Sequence, residues 1–198
     1  LKAEVLPQIL SGEKISALAI TEPSGGSDVA ALKTKAVRDG DNYIVSGEKT
    51  FITSGIRADY YTVAVRTDPN AKGANGISML LIDAHSEGIT KSKLDKMGWW
   101  ASDTAHLHFD NVRVPARNLL GAENMGFFVI MNNFNMERFF LAASSYGYAL
   151  VCYEEALDWA KQRQTFGKRL IDHQVVRHKL VDMATRLTST HALLEDTA

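Results

Sequence analysis

The sequence holds 198 residues, 45% hydrophobic and 23% charged, with a formal net charge of −1. That is enough apolar chain to bury a core, and a charge balance too even to draw in nucleic acid or an anionic membrane. One cysteine, Cys152, excludes an internal disulfide framework and suits a reducing compartment, and no apolar run approaches the ~18 residues of a bilayer span.

Up to about Gly121 the signals are those of strands. The segments ISALAI (15–20), LKTKAV (32–37), YIVSG (43–47), KTFITS (49–54), YYTVAVR (60–66), GISMLLID (76–83) and AHLHFDNVRV (105–114) are short and rich in β-branched or aromatic residues. Asp-Gly-Asp-Asn, Asp-Pro-Asn and Ser-Glu-Gly punctuate them as turns. Leu32, Thr34 and Ala36 alternate with Lys33, Lys35 and Val37, the pattern of a half-exposed strand. Strands this closely spaced, with no helix between them, predict an antiparallel β-barrel or sandwich.

Near Asn124 the period changes. Phe127, Ile130, Met131, Phe134, Arg138, Leu141, Ala142 and Ser145 recur at helical spacing, and the pattern runs on to about Lys161. Gly167 is expected to end the connection and Asp172 to cap a second helix, striped by Val176, Leu180, Met183, Leu187, His191 and Leu194. The fold class is therefore α+β: a β domain followed by long antiparallel helices of an incomplete bundle. The first residue is Leu1, not methionine, and Ala198 falls within a helical pattern, so a piece of a longer chain is expected.

Three features invite chemistry. In AITEPSGGSDVAA (19–31) a strand stops at Pro23 and gives way to small residues with unshielded backbone amides, a form suited to an anion nest or to an ordinary turn capped by Ser27 or Asp28. These glycines do not make G-x-G-x-x-G before a helix, which excludes a Rossmann reading. His106 and His108 share a strand face, but no carboxylate or cysteine is seen to complete a metal site, and none is expected. Trp99 and Trp100 are expected in the core or an interface, and Met125, Met131 and Met136 mostly in the helix core.

Five segments, in order, resemble the acyl-CoA dehydrogenase family: AITEPSGGSDVAA (19–31), GEKTFITSG (47–55), MGWWASDTAHLHFDNVRVPARNLLG (97–121), MERFFLAASSYG (136–147) and QRQTFGKRLIDHQ (162–174). The resemblance implies residues 1–14 as the end of an N-terminal helical region and its linker, 15–121 as a middle β domain, and 122–198 as part of a C-terminal helical bundle. It implies FAD-dependent dehydrogenation of a fatty acyl-CoA to the trans-2-enoyl-CoA. A carboxylate takes the α-proton, the β-hydrogen leaves as hydride to flavin N5, and electrons pass to an electron-transfer flavoprotein. An oxygen-using, acyl-CoA oxidase-like enzyme and a non-catalytic flavin-binding or assembly module are the alternatives. The expected compartment is the cytoplasm in a bacterium or the mitochondrial matrix in a eukaryote.

The same resemblance assigns roles. Thr21, Gly26, Ser27 and Thr53 would hold the flavin, and Ser27 and Arg138 would help seat the substrate. Phe51 stands where many members carry tryptophan against the flavin. Arg163, Thr165 and Phe166 would reach the adenine half of the FAD in a neighbouring subunit, implying a homo-oligomer, dimer or tetramer. His173 and Gln174 lie near them. Glu137, directly before Arg138, matches the catalytic base of the isovaleryl and long-chain members. Phe134, Phe140 and Leu141 stand three or four positions away on its helix face and desolvate it, which strengthens it as a base.

Overall fold

The short helix α1 (Lys2–Leu10) leads into strand β1 (Ser16–Ala19), which buries Ala17 and Ala19. The computed structural model describes residues Leu1–Ala198. Seven further strands follow: β2 (Lys35–Asp39), β3 (Asn42–Thr53), β4 (Tyr60–Arg66), β5 (Ile77–Asp83), β6 (Ile89–Lys93), β7 (Thr104–Pro115) and β8 (Leu119–Leu120). They form one eight-stranded sheet in the order β6-β7-β3-β2-β4-β5-β8, with β1 beside β4. The path has two ends, so this is no closed barrel. Its inner face packs Tyr43, Val45, Ile52, Tyr61, Val63 and Phe109 into the core.

Two pairings depart from the antiparallel expectation. β1 runs parallel to β4, Ser16 opposite Tyr60, and β2 meets β4 in parallel at Lys35 and Arg66. No tight hairpin joins either pair, so nothing in the connection forces them antiparallel. The segments 43–47 and 49–54 are also one strand, β3, not two. Gly47 breaks the hydrophobic pattern without breaking the strand. A Cβ there would stand 2.7 Å from Thr34 Cα, so the glycine admits a close backbone approach.

Contacts divide the chain into Leu1–Met131 and Asn132–Ala198. Helix α2 (Gly126–Gln162) is 37 residues long and helix α3 (Gln174–Thr197) 24. Between them lie the two-residue strands β9 (Gln164–Thr165) and β10 (Lys168–Arg169). Tyr146 on α2 and His191 on α3, about equally far from this connection, stack with ring centroids 5.3 Å apart, so the helices run antiparallel. No helix is long and apolar enough to cross a membrane.

The connection corrects two expectations. Phe166 and Gly167, with φ of 50° and 77°, make the two-residue tip of a β9–β10 hairpin, so Gly167 serves a turn rather than a helix end. Asp172 does not cap α3. Its carboxylate accepts two 3.1 Å hydrogen bonds from Arg169, which hold it below the usual carboxylate range, and His173 takes the cap position instead.

Candidate functional site

The segment after β1 is a tight hairpin. Glu22 and Gly25 exchange both backbone hydrogen bonds, at 3.1 and 3.0 Å, around Pro23-Ser24. Beyond it, the amides of Gly26, Ser27 and Asp28 have no acceptor within the chain. Thr21 is half-buried and Ser27 exposed. A Cβ on Gly26 would lie 3.0 Å from Thr21 Cγ2 and 3.1 Å from its Oγ1, so a larger residue there would push the threonine side chain aside by a few tenths of an ångström.

Thr21 is tied to β3. The amide of Thr50 donates to the Thr21 carbonyl at 2.9 Å. At that point β3 carries a bulge: Lys49 faces Leu107 and Ile52 faces Ala105, which leaves one extra residue on β3. Phe51 sits in the bulge at φ 59° and is 69% exposed, an uncommon conformation for an aromatic residue. Ile52 turns into the core, so the exposed Phe51 and Thr53 share the outer face of the strand. The structure thus brings Thr21, Gly26, Phe51 and Thr53 to one region of the β unit.

Beneath this region lies an ion pair that sequence reasoning missed. Lys49 is fully buried and Glu22 nearly so, their side chains meeting at 2.9 Å. Glu22 also accepts from the amides of Lys33 (2.7 Å) and Thr34 (2.9 Å), while Lys49 Nζ donates to the Ile20 carbonyl at 3.0 Å. Burial pushes the Lys49 ammonium down to about 8 despite the opposing charge of Glu22. For Glu22 burial raises the carboxyl, but the charge of Lys49 and hydrogen bonds from Thr34 and Lys49 together hold it below its ordinary value. The apolar pattern of KTFIT hides this lysine, since a strand residue flanked by turn signals reads as exposed.

Along α2, Glu137 lines an open groove of about 390 Å³ with Asn133, Met136, Phe140 and Leu141. Asn133 Nδ2 donates to Glu137 Oε1 at 2.6 Å. Arg138 points elsewhere, reaching Asn135 Oδ1 at 3.2 Å with its guanidinium over the Phe134 ring. Phe134 therefore serves Arg138, and Met136 stands in its place beside Glu137. Glu137, Phe140 and Leu141 are all exposed within this chain, so the expected desolvation of the carboxylate is not met by these flanks alone. Met136 is 70% exposed within this chain, not part of a helix core.

In the β9–β10 hairpin Phe166 is 96% exposed at the tip. His173 Nε2 lies 3.4 Å from Thr165 Oγ1, and its ring meets Phe166 edge-on. The Arg163 carbonyl accepts from Leu170, closing the hairpin base and leaving the exposed side chain outside it. Elsewhere, Glu48 does stand against the histidine face, 3.4 Å from His108 and 3.9 Å from His106, yet no three such groups are arranged to hold a metal. Trp99 and Trp100 are about 80% exposed on their loop, not core.

Residues 17–112 match the model of the acyl-CoA dehydrogenase middle domain, and residues 124–198 that of the acyl-CoA dehydrogenase C-terminal domain. The chain belongs to the acyl-CoA dehydrogenase family. It is 44% identical to acyl-CoA dehydrogenase AFT10-1 of Alternaria alternata, over 98% of this chain and 44% of that protein. A probable acyl-CoA dehydrogenase from Mycobacterium abscessus superposes with a TM-score of 0.91 at 49% identity, over 98% of this chain and 52% of the other. A glutaryl-CoA dehydrogenase from Mycobacterium smegmatis, solved in complex with FADH2, gives 0.89 at 33% identity, over 98% and 48%. The chain thus spans about half the length of these relatives.

Members of this acyl-CoA dehydrogenase family depend on FAD, and the β unit fits such a group. Three successive amides without acceptors suit a pyrophosphate, and Gly26 leaves a cradle beside Thr21 that a Cβ would fill.

Proposed function

We propose that this chain supplies the flavin cradle and the proton-abstracting residue of an acyl-CoA dehydrogenase. The enzyme would convert a fatty acyl-CoA to its trans-2-enoyl-CoA and hand electrons to an electron-transfer flavoprotein. When bound, FAD supplies the hydride acceptor. Thr21, Gly26, Ser27 and Thr53 hold the flavin and its pyrophosphate, while Phe51 covers it from the bulge. Arg163, Thr165 and Phe166 present a guanidinium, a hydroxyl and an aromatic face to the adenine half of a second subunit's FAD.

The observation that carries this reading is Glu137, a carboxylate set among Met136, Phe140 and Leu141 with Asn133 on one oxygen. The apolar side chains beside it fit an acyl chain, and the oxygen not held by Asn133 is left to take the α-proton. Arg138, engaged with Asn135 and Phe134, orders the surrounding helix and does not carry protons.

The test is Glu137→Gln in the full-length enzyme. FAD content and acyl-CoA affinity are expected to stay, while turnover falls by ~10²-fold or more, the scale of a lost general base. Near-normal turnover would remove Glu137 from the role of base.

A further inference from the structure

The Glu22–Lys49 pair takes no part in the chemistry above, yet it surrounds one of its residues. Ile20, Thr21 and Glu22 are each fastened to Lys49 or Thr50: the Ile20 carbonyl by Lys49 Nζ at 3.0 Å, the Thr21 carbonyl by the Thr50 amide at 2.9 Å, and the Glu22 carboxylate by Lys49 Nζ at 2.9 Å. The carboxylate is further gripped by the Lys33 and Thr34 amides, so every bond it makes is to a charged group or a backbone donor. Stability alone does not account for such a pair, because apolar residues of equal volume commonly serve a buried position as well. What the pair adds is a fixed register between the strand end and the bulge, with the Thr21 side chain in the space that a Cβ on Gly26 would crowd.

We propose that Glu22 and Lys49 are positioning residues for Thr21, holding its hydroxyl where the flavin needs it. This rests on the reading of Thr21 as a flavin ligand. The pair touches neither cofactor nor substrate. It acts through the backbone on both sides of Thr21.

A double-mutant cycle on FAD affinity tests this in the full-length apoprotein, with FAD itself as the titrant. Glu22→Gln combined with Lys49→Met removes both charges and leaves no unpaired ion, so a folded protein by circular dichroism is expected. It should bind FAD on the order of tenfold more weakly, as should Thr21→Val alone, the scale of one good hydrogen bond. The two losses should not add: in the paired background Thr21→Val should cost less than about twofold more. Full additivity, or unchanged FAD affinity in the paired variant, overturns the proposal. Unchanged affinity in Thr21→Val overturns the ligand reading and the proposal with it. Should the paired variant not fold, Glu22→Asp carries the same cycle. It keeps both charges but draws the carboxylate back from Lys49 and from the Lys33 and Thr34 amides, and the same two outcomes decide.

Discussion

Lys49 has no exposed side-chain surface, and its ammonium is pushed down to about 8 while Glu22 is held below its ordinary value. The signs of the two contributions differ. A carboxylate depressed in the folded state lends stability above its unfolded value near 4.5, and this is lost as pH falls through the lower folded value. A depressed lysine costs stability while charged, and that cost is relieved as pH rises from about 8 toward 10.5. Thermal melts of wild type and Glu22→Gln should therefore diverge most above pH 5 and converge in acid. Lys49→Met alone leaves Glu22 buried without its cation and should cost ~3–5 kcal/mol, read from denaturant unfolding, whereas adding Glu22→Gln should recover most of it.

Strand β3 shows how one element sets a site. Its twelve residues pass through a close approach at Gly47 and a bulge at Phe51 before ending at Thr53. Gly47 has φ 147°, and a Cβ would meet Thr34 Cα and Oγ1 at 2.7 Å, so Gly47→Ala should destabilise by ~1–3 kcal/mol, measured as a lowered urea midpoint. Thr34 is the residue whose amide holds Glu22, and the strain should reach the cofactor as weaker FAD retention. The strand itself was legible from its β-branched and aromatic residues. The bulge was not, because an extra residue in a ladder is defined by the partner strand β7 and leaves no mark in local composition.

Across the whole molecule, α2 carries large apolar residues on every side, with Phe128, Phe140, Tyr148 and Trp159 each 61–71% exposed within this chain. A helix apolar all round is one that other segments cover, which accords with relatives about twice as long. If Arg163 serves a second subunit's FAD as proposed, Arg163→Ala in the full-length protein should weaken FAD retention and oligomer stability together. Flavin absorbance after dilution and sedimentation velocity would read the two. A variant that stays flavin-loaded and associated at high dilution would separate the hairpin from both roles.

The sequence by itself determined the α+β class, six of the eight strands of the main sheet, the helical pair with its stripe, and the family, because periodicity and contiguous motifs are local. It read β2 three residues early, split β3 in two, and missed β6 and β8. Glu137 lies on the long helix α2 and Thr21 just past the end of β1, where the sequence pattern put them. Tertiary structure alone decided the rest. The parallel seat of β1 beside β4, the left-handed Phe51, the hairpin at Phe166-Gly167 and the meeting of Glu22 with Lys49 all depend on partners distant in the chain. The last is the clearest case. Twenty-seven positions separate the two residues, and each is an ordinary charged residue until folding removes its water and leaves it the other charge and nearby backbone groups.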